Sequence, residues 1–229
     1  MKGSVRILSL IAAAVWVYCL SAKTLPAAEQ MRTYDATGGS RMRLEGDSTL
    51  HSWQCVSSVI AGSLEVGPNF PSEPGQEVKP GKADAQGQAK VTVRSLQSVK
   101  KDGSPYKSEM DDKMYEMLKA TNFAQIAFSI KELLLKEAPK GKDAPYVYDA
   151  KGDLAVAGVT NTISFPVNVT VLPDRKLKIT GVVPLKMTQF QIPPEKILFV
   201  KTADDVTVKF DWMLRPRKAA AAAATTSSK

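Results

Sequence analysis

His51 is the only histidine of the chain, and Cys19 and Cys55 are its only cysteines, so the side chains that do most nucleophilic and metal chemistry are nearly absent. A zinc site gathers about three or four His, Cys or carboxylate ligands, and any imidazole-based proton transfer would fall to His51 alone. The sequence holds no nucleophile elbow and no glycine-rich phosphate loop. Asp204 and Asp205 are adjacent acids, which suits a hairpin turn better than an acid–base pair, and a turn is expected there. No catalytic residue, metal site or cofactor is predicted, and the chain is not expected to be an enzyme.

Other polar groups are placed for binding rather than bond making. Lys100, Lys101 and Lys107 lead into Ser108, the expected start of a helix, and helix N-termini favour anions. Against an anion there, Glu109, Asp111 and Asp112 already charge that turn, and an ordinary solvated loop is the alternative. His51 and Trp53 share a face if their stretch is extended. They suit either a polar and aromatic pair on the wall of a site or a packed Trp beside a hydrogen-bonded His, and the second is the commoner fate of such residues.

The elements that must position these groups are strands, because apolar residues recur at every second position. Ile163, Phe165, Val167, Val169 and Val171 share one face, with Ser164, Asn168 and Thr170 on the other. Leu177, Ile179, Gly181, Val183, Leu185 and Met187 oppose Lys176, Lys178, Thr180 and Lys186; Val206, Val208, Phe210, Trp212 and Leu214 oppose Thr207, Lys209 and Asp211. Pro173-Asp174 supplies an antiparallel turn between the first two runs. Weaker alternation marks Met42 and Leu44, Leu50 to Cys55, Ile60 to Val66, Val91 and Val93, Ile126 to Ile130, and Leu154 to Gly158 after a Lys151-Gly152 turn. That makes about eight strands, each with one apolar face, the signature of antiparallel sheet.

One helix interrupts them. Ser108 with Asp111 reads as a capping box, Glu109 and Lys113 as an i, i+4 ion pair, and Met110, Met114, Met117 and Leu118 as an apolar stripe. That stripe either plugs the sheet's core or lines a cavity. Residues 67–88, rich in Pro and Gly, read as a long loop with a short edge strand around Glu77 to Lys79. Such strands bury their apolar faces as two stacked sheets or as a closed barrel, and periodicity does not choose between them.

The ends read differently. Residues 1–28 look like an export signal: Lys2 and Arg6 precede an uncharged run from Ile7 to Ala22, with small residues at Ala22, Ala27 and Ala28 for cleavage. The run is short of the roughly 20 apolar residues of a spanning helix, so an uncleaved anchor is the lesser alternative. Trp16, Val17 and Tyr18 are too bulky for a lipoprotein signal before Cys19. A periplasmic or secreted location follows, where Cys55 alone has no partner for a disulfide and is expected as a small buried hydrophobe. Residues 215–229, basic and then alanine-rich, read as a low-complexity tail. With 31 Lys and Arg against 23 Asp and Glu the chain carries +8, yet no basic stripe is interleaved with aromatics, and nucleic-acid binding is not expected.

The order of pieces from Tyr34 to Leu214 resembles the YceI-like family of lipid and polyisoprenoid-binding proteins. The resemblance rests on Ser48-Thr49-Leu50-His51-Ser52-Trp53, Ala61-Gly62-Ser63-Leu64, the helix from Met110 to Tyr115 followed by Phe123 and Ile126-Ala127-Phe128, Val156-Ala157-Gly158-Val159-Thr160-Asn161, Met187-Thr188-Gln189-Phe190, and Lys201-Thr202-Ala203-Asp204-Asp205-Val206. It implies an all-β fold, a lipocalin-like eight-stranded antiparallel barrel with one amphipathic helix spanning 29–214, exported and holding an isoprenoid chain such as a polyprenyl phosphate or quinone. The implied lumen is lined by His51, Trp53, Met114, Leu118, Phe128, Phe165, Val167, Ile179, Val183, Phe190, Val208 and Phe210, with Lys100, Lys101 and Lys107 near a head group. Gln189, Gln191 and Ala124 depart from the family's pattern, which bears on the mouth more than the fold. A barrel filled by its own side chains, acting as a structural or interaction module, is the alternative; transient membrane contact and a homodimer stay open.

Overall fold

The computed structural model describes residues 31–218 apart from Lys107, Leu198 and Phe199, so the expected signal and most of the expected tail lie outside the described residues. The strands are β1 (Arg32–Ala36), β2 (Arg41–Ser48), β3 (Ser52–Ser57), β4 (Ala61–Val66), β5 (Gly81–Ala83), β6 (Ala85–Thr92), β7 (Gln97–Val99), β8 (Gln125–Glu137), β9 (Tyr146–Val156), β10 (Val159–Val171), β11 (Leu177–Lys186), β12 (Lys196–Ile197) and β13 (Val200–Pro216). The helix α1 (Ser108–Met117) lies between β7 and β8, and short 3-10 turns cover Val93–Ser95 and Met187–Phe190.

Several of these segments are one strand interrupted. β1 and β2 run end to end along the same edge of β13, β3 and β4 run along them in turn, and β6 and β7 follow. With β8 to β11 in sequence, and β13 pairing both β11 and β1–β2, the sheet closes into an eight-stranded antiparallel barrel. Closure leaves no apolar face for a second sheet, so the stacked-sheet alternative falls away.

The alternation that marks the strands is the inside and outside of this barrel. Phe165, Val167, Val169 and Val171 of β10, and Leu177, Ile179 and Val183 of β11, are buried. Ala157 (φ 50°) and Gly158 (φ 87°) link the paired Val156 and Val159, the two-residue turn whose twist matches its strands. The Pro173-Asp174 turn joins β10 and β11 as expected, with the Lys176 N–H donating to Asp174 Oδ1 (3.2 Å).

Residues 67–80 close one end. Phe70 is fully buried and stacks on Tyr148 at 5.7 Å between centroids. The Tyr146 hydroxyl donates to Gln76 O (2.6 Å), and the Arg32 guanidinium donates to the carbonyls of Gly67 and Phe70. Burial pushes the Tyr148 hydroxyl's pKa up. What reads as a long loop is a plug.

Several local expectations are corrected. Glu77 to Lys79 form no strand; pairing begins at Gly81, and β5 and β6 are polar and glycine-containing, which hides them from a hydrophobic period. Lys151-Gly152 lies inside β9 rather than in a turn, and Val93 opens a 3-10 turn. Asp204 and Asp205 lie in β13 where its register against β2 shifts, not in a hairpin turn. Met187 belongs to the 3-10 turn that follows β11. Asp111 Oδ1 accepts from the Ser98 N–H (2.6 Å), and Lys113 pairs with Glu116 and Glu195 rather than Glu109.

Candidate functional site

The barrel encloses a cavity of about 1150 Å³, opening at the end where α1, the β2–β3 turn and the segment between β11 and β13 meet. Far from that opening the wall is apolar: Leu64, Leu133, Ala150, Val169 and Trp212 border it there, above the Phe70 plug. Polar groups border the cavity at the mouth, among them His51, Lys100, Glu109, Lys113, Lys186 and Glu195.

Every residue expected in the lumen borders this one cavity. Phe165 and Val167 come from β10, Ile179 and Val183 from β11, Val208 and Phe210 from β13, Phe128 from β8, and Phe190 from the 3-10 turn after β11. The rings of Phe128, Phe165 and Phe210 form a chain, with centroids 5.1 Å and then 6.2 Å apart, tilted or edge-on as aromatic quadrupoles prefer. The helical segment does two jobs at once: Leu118, just past the end of α1, is buried in the core and borders the cavity, as do Met110, Met114 and Met117 on α1 itself. It is fixed by the Asp111–Ser98 bond and by the Tyr115 hydroxyl donating to Leu96 O (2.7 Å).

At the mouth, His51 is exposed, its Nδ1 3.0 Å from Ser52 O, and the Trp53 Nε1 donates to Asp47 O (3.3 Å). Both border the opening, and the Trp53 ring also lies over Gly46. Lys100 borders it too; Lys101 is exposed outside it, and Lys107 lies outside the described residues. Cys55 is buried and 3.6 Å from Ser98 Oγ, with desolvation raising its pKa, which makes it a poor nucleophile.

Two mouth features escape a reading of the sequence. Lys113 Nζ lies 2.9 Å from Glu195 Oε1 and bridges α1 to the segment before β12; its hydrogen bonds to Glu195 and Glu116 raise the amine's pKa. Asp204 accepts from the N–H (2.8 Å) and hydroxyl (2.7 Å) of Thr188, which holds its carboxyl below the usual range and pins the turn carrying Phe190. Leu133 is missed for another reason. A bulge between Ile130 and Glu132 shifts the phase of β8, so inward positions change from even to odd numbers.

Among the described residues no three His, Cys, Asp or Glu side chains gather as a metal site. What the geometry offers is a deep apolar container with a charged rim.

A family model described as a YceI-like domain matches residues 54–214. The fold is shared with BcnA of Burkholderia cenocepacia, at a TM-score of 0.55 and 17% identity over 76% of this chain and 95% of that one. It is shared also with a polyisoprenoid-binding domain from Saccharophagus degradans implicated in plant cell wall breakdown, at a TM-score of 0.54 and 11% identity over 82% of this chain and 100% of that one. No curated protein matches the chain.

Proposed function

The chain belongs to the YceI-like family, and from that premise we propose that it is an exported, non-enzymatic carrier that holds an isoprenoid lipid of polyprenyl phosphate or quinone type in its lumen. The observation that carries this is the cavity of about 1150 Å³, apolar along its depth and polar only at its mouth. Taking about 30 Å³ per carbon, close to the liquid volume of one water, it has room for a chain of roughly 40 carbons. That is larger than a drug-sized pocket of about 300–1,000 Å³.

The polar rim and apolar depth favour entry tail first, with the head group near Lys100 and His51. Each buried methylene gains about 0.8 kcal/mol over water, so a long chain is held with ease against water. Its real competitor is the bilayer, where it is already dry. Net affinity is then a small difference, and selectivity comes from chain length and head group. That is the energetics of a carrier. The polyisoprenoid-binding domain of the same fold supports the ligand class, and the signal-like residues 1–28 support export.

The self-filled barrel is less well supported, because Met114 and Leu118 border the cavity without occupying it. One chain bounds the lumen, so no homodimer is required. The test is titration with a long-chain isoprenoid quinone delivered from ethanol, read by quenching of Trp53 and Trp212. Saturable quenching near one quinone per chain is expected. A barrel that takes up neither quinone nor polyprenyl phosphate would overturn the reading.

A further inference from the structure

The rim of the opening carries large apolar side chains in solvent. Leu50 in the β2–β3 turn is 71% exposed, Met110 on α1 42%, and Tyr106 and Val200 37% each. Tyr106, Met110 and Val200 also border the cavity, so exposed rim and lumen wall form one continuous apolar surface. The rim's parts are tied together: the Thr49 N–H donates to Lys201 O (2.9 Å), the Lys201 N–H donates to Thr49 Oγ1 (3.0 Å), and Gln54 Nε2 donates to Lys100 O (2.7 Å).

Beside these apolar groups stand Lys101, Lys196 and Lys201, all exposed, and among the described residues none of them forms an ion pair with an acid; Lys100, also exposed, has the Asp102 carboxylate close enough to feel its charge. On the barrel wall Lys82, Lys178 and Lys209 face Glu132, Asp211 and Glu45, while Lys90 and Lys151 form no ion pair among the described residues. Most acids at the open end are engaged. Glu116 and Glu195 hold Lys113, Asp205 holds Lys186, Asp204 holds Thr188, Asp111 holds the Ser98 N–H and Asp102 holds Ser104. Asp47, Glu109 and Asp112 remain, the last two on α1.

We infer that this rim docks on an anionic lipid bilayer, with Leu50, Tyr106, Met110 and Val200 entering the headgroup boundary and the unpaired lysines meeting lipid phosphates. The inference rests on the carrier reading and adds the surface through which the ligand passes between bilayer and lumen without crossing water.

The test is flotation of the full chain with vesicles of phosphatidylcholine alone or mixed with phosphatidylglycerol. The variants are Leu50→Asp, the triple variant Lys101→Gln, Lys196→Gln, Lys201→Gln, and Val182→Asp, which lies 53% exposed on the barrel wall. Wild type and Val182→Asp are expected to float with the anionic vesicles, and the two rim variants to lose about tenfold or more of that binding. All are expected to take up quinone from ethanol, which shows them folded. Binding undiminished in both rim variants would place it elsewhere, the Ile7–Ala22 run included, and overturn the inference, as would a wild type that ignores anionic vesicles. Rim-dependent flotation without quinone uptake would leave the docking surface standing and remove the carrier reading.

Discussion

Gly62 shows how tightly single positions are set. Its φ is 122°, and a Cβ built there would lie 1.8 Å from the carbonyl oxygen of Gln88 on the neighbouring strand. Gly62→Ala is expected to cost about 2 kcal/mol or more in urea unfolding, since both conformation and contact are lost. Asp204 gives a pH-dependent counterpart. Thr188 lowers its folded pKa below the unfolded value, so its contribution is present above about pH 4 and fades as pH falls through the folded value. The stability gap between wild type and Asp204→Ala should therefore hold from about pH 6 to about pH 4 and shrink as pH falls below that. A gap that stays constant would show that Thr188 does not depend on the carboxylate. In the lumen, Val167→Trp with Val183→Trp takes space from the chain. Displacing roughly two methylenes predicts about a tenfold loss of affinity for a long-chain quinone, with little change in melting temperature.

At the scale of elements, the turn between β9 and β10 places Ala157 at φ 50°, where an L side chain is strained. Ala157→Gly should stabilise the protein by up to about 1 kcal/mol, read as a rise in melting temperature; no rise would mean the added chain entropy offsets the relief. Elements with a clean apolar period were legible in the sequence: β10, β11 and β13 have the faces their alternation predicts, and those faces line the cavity. The rest was hidden by identifiable physics. β5 and β6 are strands held by their neighbours rather than by apolar residues of their own. The bulge in β8 moves Leu133 inward against the count. The 67–80 segment buries Phe70 despite a composition that reads as loop, and Asp204 meets Thr188 only because the strands around them close the ring.

On the scale of the whole molecule, closure of the sheet removes every edge between β1 and β13 and leaves an interior too wide for its own side chains. One end is plugged and the other is ringed with charge, so the molecule has a single direction of entry. A ligand bound only by the folded barrel must raise its melting temperature with concentration. The measurement that bears most directly on the account is native mass spectrometry of gently purified protein, followed by organic extraction of whatever it carries. One isoprenoid lipid per chain is expected, with lower occupancy in the lumen-narrowed variant. Protein that arrives empty, and stays empty after exposure to polyprenyl phosphate or a long-chain quinone, would contradict it.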